Sequence, residues 1–322
     1  MVVNGDVQGA EGYPPLGVLL YCVPIMPTEP PFHDPTALAR FGRLEVVARL
    51  LVEGYLIGRH RSPFKGASVE FVEHRHYTTG DEIRHIDWRA YAKTGEYFVK
   101  QFEEETNLRA YLLLDASGSM GYAGRTLSKL DYAKVLAATL AYLLQQQRDA
   151  CGLITFSDRV LDRRDPATQT STFPQLSQLL ELRQPGGEGR ITAVMDEILP
   201  ILKRRSLVFL FTDAFDDVDA LAARLRQFRS AGHDLILFQI AAPEEEEFPF
   251  RRPTRFRNLE NLQEQRPVDP FRLRSSYLSR YRAFCDALVR ECGAAGIDHV
   301  KLRTDEPYHV ALGAFLTRRG GR

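Results

Sequence analysis

Residues 110–119 read A-Y-L-L-L-D-A-S-G-S, and this stretch decides the fold. The first five residues form a short, unbroken apolar run, as expected of a strand buried on both faces. It ends on Asp115, Ser117 and Ser119, three oxygen-bearing side chains on alternate positions. Residues 127–147 follow with helical spacing of apolar groups, which predicts a long amphipathic helix. A buried strand, a polar loop and a helix make the first half of a βα unit.

Towards the C-terminus the same alternation recurs. Strands are predicted at 150–156, 206–212, 234–240 and 297–302, with a short edge strand at 159–162. Helices are predicted at 172–183, 192–202, 218–230, 276–292 and 307–317. Strands alternating with helices predict an α/β fold, a doubly wound and mostly parallel sheet. Residues 243–275 interrupt the alternation with a Pro- and charge-rich insertion of hairpin character around 254–268.

Towards the N-terminus the character changes. Residues 1–35 are rich in Pro and Gly without a period, and read as a disordered or loosely attached segment. Residues 36–53 carry Leu38, Phe41, Leu44, Val47 and Leu51 at helical spacing. Residues 67–109 combine two-residue alternation with turn signals at 78–81 and 95–96, and predict a small β-rich arm. The expected organisation is thus a loose segment 1–35, a helix and arm over 36–109, and the α/β domain over 110–322.

Composition narrows the function. The chain has 322 residues, with 42 Lys plus Arg against 42 Asp plus Glu. A balanced charge argues against a nucleic-acid partner. The apolar run 16–26 is broken by Pro24 and is shorter than the ~20 residues a membrane span needs. No Lys or Arg precedes it, which weakens a signal-peptide reading. The change of character at Met26 leaves open a chain that starts there. The four cysteines form no C-x-x-C pair, so they read as reduced thiols of a cytoplasmic protein without an integral membrane segment.

Parallel sheets bind ligands beyond the carboxyl ends of their strands. Three predicted loops bring oxygen ligands to that edge: 115–119, the Gly-rich 186–192 loop ending in Thr192, and Thr212-Asp213. Magnesium takes six hard oxygen ligands and keeps several waters. Asp115, Ser117, Ser119, Thr192 and Asp213 would supply at most two carboxylates. A divalent ion there (Mg2+, with Mn2+ or Ca2+ as alternatives) would keep positive charge and an open position for a partner's acidic side chain. The competing reading is a strand-to-helix turn capped by Asp and Ser.

This arrangement resembles the metal-ion-dependent adhesion site of von Willebrand factor A-type domains, over about residues 108–242. A second, more specific resemblance covers about residue 64 to the end. It is carried by E-H-R-H-Y-T-T-G-D-E-I-R-H-I-D-W-R-A-Y-A-K-T (73–94), V-K-Q-F-E-E-E-T (99–106), the F-P-F…T-R-F…L-E segment (248–260) and R-T-D-E-P (303–307). The chain is similar in these to proteins of the domain of unknown function 58 family. That likeness implies a β-rich arm ahead of an A-type domain and a MoxR-type AAA+ ATPase as partner in remodelling protein complexes. Lys93 stands where relatives often have Arg, keeping charge without bidentate geometry.

Within the arm, Asp81, Arg84, Asp87, Trp88 and Arg89 read either as an ion-paired network fixing the arm or as a docking surface for the ATPase. His74, His76 and His85 read as arm packing rather than a transition-metal site. The run 244–247 reads as a solvated acidic loop. The leading functional reading is a non-enzymatic, metal-dependent protein-binding adaptor. The alternatives are a phosphatase-like metal-dependent hydrolase and a structural protein with an idle metal loop. Ser117 stands where a haloacid-type phosphatase needs its second Asp, and the chain has no G-x-x-x-x-G-K-[ST] loop.

Overall fold

A computed structural model describes residues 43–60, 75–76, 88–99, 108–252, 254–260, 263, 265–309 and 312–313. Its centre is a six-stranded sheet: β1 Arg109–Asp115, β2 Ala150–Phe156, β3 Val160–Ala167, β4 Leu207–Thr212, β5 Asp234–Ala241 and β6 Asp298–Arg303. The spatial order is β6-β5-β4-β1-β2-β3. All neighbours are parallel except β3, which runs antiparallel to β2 at the edge. The order reverses direction at β1 and β4, which pair side by side. A crevice for ligands opens beyond the carboxyl ends of strands at such a reversal.

The two-residue period of β1 divides its apolar run between two layers. Ala110, Leu112 and Leu114 join one core cluster, and Tyr111 and Leu113 the other. The first layer is built with α1 Leu44–His60, α2 Lys129–Gln146 and α3 Thr172–Leu182; the second with α4 Ile191–Ile198, α5 Val218–Ser230 and α6 Pro270–Ala294. Each fully buried Leu contributes about 1.5–3 kcal/mol, so an Asp placed within this run could not be tolerated; the first one comes at its end.

α2 differs from the expected amphipathic helix. Every residue from Lys129 to Leu144 except Asp131 is buried, because α1 covers its outer side. Leu44, Val47, Ala48, Leu51 and Val52 form that contact. Arg49 lies over the Tyr142 ring, and the Leu44 amide donates to Glu181 Oε1 at 2.7 Å.

Other boundaries moved for local reasons. The helix expected over 192–202 gives way at Leu199–Ile201 to a 3-10 turn containing Pro200. α6 starts at Pro270, because Asp269 caps it, its side chain accepting from the Phe271 amide, and proline suits a first helical position. β3 runs on to Ala167, although its middle is charged and exposed. Arm residues Arg75–His76 and Phe98–Val99 pair antiparallel, and Trp88–Thr94 is a short helix. Residues 308–309 and 312–313 are helical within the expected C-terminal helix. Cys151, Cys285 and Cys292 are free and buried. Among the described residues no helix is long and apolar enough to cross a membrane.

Candidate metal centre

Asp115 closes β1 and is buried. Its Oδ1 accepts the Ser117 amide at 2.9 Å, an Asx-type turn that bends the loop away from the strand. Its Oδ2 accepts the Thr212 hydroxyl at 2.6 Å, and the Ala214 amide donates to that hydroxyl at 2.9 Å. Thr212 ends β4, so one carboxylate is held between the two strands of the reversal. Burial, reinforced by the nearby Asp213 carboxylate, pushes the Asp115 carboxyl up to about 7. Among the described residues Asp115 has no ion-pair partner.

The serines follow on a 3-10 turn, Gly118–Gly121, with their hydroxyl oxygens 3.1 Å apart. The 186–190 segment lies against this loop: the Gly118 amide donates to Gly187 O at 3.0 Å and the Gly186 amide to Ala116 O at 2.9 Å. Gly187 has φ +81°, where a side chain would be strained.

Asp213 is engaged differently. Its Oδ2 accepts Lys129 Nζ at 2.8 Å. That ammonium is 1% exposed and also donates to Glu245 Oε1 at 2.7 Å, with the Phe215 ring at 4.9 Å. Burial alone would lower the Lys129 pKa; the two carboxylates more than reverse this, and the side chain stays charged. Ala214, next in sequence, has φ +59°, a conformation non-glycine residues seldom adopt outside constrained sites.

Thr192 sits in the first turn of α4, and both its amide (3.0 Å) and its hydroxyl (2.7 Å) donate to Asp216 Oδ2. Asp216 thereby satisfies free donors at the helix N-terminus. The structure therefore unites Asp115, Ser117 and Ser119 in one loop with Asp213 close enough to act electrostatically, and leaves Thr192 committed to Asp216. Lys129, Asp216 and Glu260 are not site residues in the sequence reading; Thr212 enters it with Asp213, and Glu245 within a solvated acidic loop, whereas Pro243–Glu247 is a short helix with Glu244 buried and Glu245 bound to Lys129. Asp81, Arg84 and Asp87 lie outside the described residues, as does the side chain of Arg89. Trp88 is exposed and packs edge-on to Tyr91 and Tyr97, which stack at 4.4 Å.

A divalent cation fits the 115–119 loop. Its buried carboxylate has no cation beside it among the described residues, and two hydroxyls stand next to it as neutral oxygens that could serve as ligands. Among the described residues no three His, Cys, Asp or Glu groups cluster as a metal cage. A metal here would accordingly rest on Asp115, Ser117 and Ser119, with Asp213 supplying charge from β4.

A family model described as "Protein of unknown function DUF58" matches residues 73–283. Uncharacterized proteins of Mycobacterium bovis and Mycobacterium tuberculosis are 23% identical over 293 residues, covering 89% of this chain and 90% of theirs. Among solved structures, the conserved hypothetical protein BatB from Bacteroides thetaiotaomicron aligns with TM-score 0.45 and 15% identity, over 66% of this chain and 98% of its own. The SpRpn10 VWA domain aligns with TM-score 0.36 and 12% identity, over 61% and 89%.

Proposed function

The chain belongs to the DUF58 family, and from that premise we propose that it is a non-enzymatic protein-binding adaptor whose 115–119 loop holds a divalent metal, Mg2+ first, for docking an acidic side chain. The observation that supports this most is Asp115: a buried carboxylate, hydrogen-bonded at both oxygens with no cation beside it among the described residues, next to two serine hydroxyls. The metal would supply Lewis-acid attraction for an incoming carboxylate. The chain's own residues do the rest. Thr212 orients Asp115, the Ser117 amide fixes the loop, and Lys129 restrains the charge of Asp213.

The partner we propose is a MoxR-type AAA+ ATPase, with a second protein offering the acidic group, in the cytoplasm. The support is the family likeness of the 73–106 and 248–260 segments. Calorimetric titration with Mg2+ tests the metal: wild type binds one ion and Asp115→Ala does not. Equal heats from both would sink this reading. Pull-down with and without chelator tests the docking, and an unchanged set of captured proteins would refute it.

One observation favours a second reading, a structural site with an idle loop. Lys129 already neutralises Asp213, and Thr192 is bound to Asp216. On that reading Mg2+ gives no heat at millimolar concentration.

A further inference from the structure

The insertion between β5 and α6 returns to the metal loop. Its hairpin, Thr254–Arg257 against Gln265–Val268, carries Glu260 in the connecting turn. The Glu260 amide donates to Asn258 Oδ1 at 2.9 Å, which stabilises the turn from within. The Glu260 carboxylate lies against the Gly189 backbone beside Ser117, where the Gly189 amide and the Ser119 hydroxyl favour its charged form.

Two glycines make room for this approach. A Cβ on Gly118 would lie 2.3 Å from Leu259 O and 3.0 Å from Glu260 Cα. A Cβ on Gly189 would lie 2.9 Å from Glu260 Oε1 and 3.5 Å from Ser117 Oγ. Real side chains do not tolerate contacts below 3.0 Å with backbone, so the 115–119 loop is shaped at Gly118 to admit the turn, while at Gly189 the close atom is the movable end of the Glu260 side chain itself. The charge logic is unusual. Glu260 enters a region that already holds the carboxylates of Asp115 and Asp213, and Asp213 repels it. A carboxylate placed against others is costly unless a cation stands between them.

We propose that Glu260 is the chain's own acidic occupant of the docking position, so that a partner's carboxylate binds only by displacing the turn that carries it. This rests on the metal-dependent reading above and deepens it: the site is self-capped, and partner selectivity follows from competition with an internal glutamate. A plain loop staple would use the same contacts but would not compete for a metal position.

The test uses the full chain and Mn2+ as probe, followed by water-proton relaxation, with acetate as the external carboxylate. Wild type, Glu260→Ala and Glu260→Gln are compared, the Gln variant guarding against loss of fold in the Ala variant. The Mn2+ complexes of both variants should relax water more strongly than wild type. Acetate should reverse that gain, with a half-saturation about tenfold lower than in wild type. If Mn2+ binds all three but acetate acts at the same concentration in each, the occupant role of Glu260 is overturned while the metal site stands. If Mn2+ binds none of them, the metal reading falls and this inference with it.

Discussion

Asp115 and Asp213 leave the carboxyl ends of two adjacent parallel strands, and their charges are handled in opposite ways. Asp213 is neutralised by the buried ammonium of Lys129, which it shares with Glu245. Among the described residues Asp115 receives neutral donors, such as the Thr212 hydroxyl and the Ser117 amide, and no cation, and burial pushes its carboxyl up to about 7. Lys129 is also the first residue of α2, an end where the helix dipole disfavours a cation. Two carboxylates outweigh that penalty. Two like groups thus stand side by side, and among the described residues only one of them is given a cation. The difference lies in which helix delivers a side chain to which strand.

The most disruptive way to break the contrast is Lys129→Met. It leaves Asp213 and Glu245 buried without their cation, and should cost about 3–5 kcal/mol in denaturant unfolding. Mg2+ should recover part of that loss in the same assay, because Asp213 would then need a cation as Asp115 does. Thr212→Val comes next. Removing the hydroxyl leaves Asp115 Oδ2 buried without a donor, at about 1–3 kcal/mol by thermal unfolding, and weakens Mg2+ binding by calorimetry.

The third prediction concerns pH. The Asp115 carboxyl titrates higher in the folded chain than in the unfolded one, so between about 4 and about 7 the folded state holds the extra proton. Without metal, its contribution to stability therefore falls as pH rises through that window, by at most about 1.4 kcal/mol per pH unit. Unfolding measured from pH 5 to 8 should show this slope in wild type, flattened in Asp115→Asn and by saturating Mg2+. The smallest effect sharpens the contrast from the third loop. Asp216→Ala removes the acceptor at the start of α4 and should cost about 1 kcal/mol. It also frees the Thr192 hydroxyl, so Mg2+ affinity by calorimetry should stay equal or rise; a fall would show that Asp216 supports the metal site.

Legibility in the sequence followed the range of the interactions. Residues 110–114, 150–156, 206–212 and 234–240 announced themselves as continuous apolar runs, because strands buried on both faces have no polar alternation to hide them. β3 was legible only at its start. An edge strand has one neighbour, so Asp162–Asp165 can remain charged and Pro166 costs no central hydrogen bond. The start of α6 at Asp269-Pro270 was written locally as a cap, but the charged insertion before it obscured the signal.

The site divides in the same way. Asp115, Ser117 and Ser119 lie within five residues, so their spacing alone presents them together. Lys129 meets Asp213 from the start of α2, Glu245 meets Lys129 from the short helix Pro243–Glu247 after β5, and Glu260 reaches the serine loop from the insertion hairpin. What this chain determines by itself is therefore the buried strand, its terminal aspartate and the two serines behind it, because pattern and period act over a few residues. Only the tertiary structure decided which aspartate is paired, that Thr192 belongs to Asp216, and that Glu260 lies over the loop. Those outcomes depend on how distant segments compete for the same few ångströms at the end of the sheet, where desolvation makes every unpartnered charge costly.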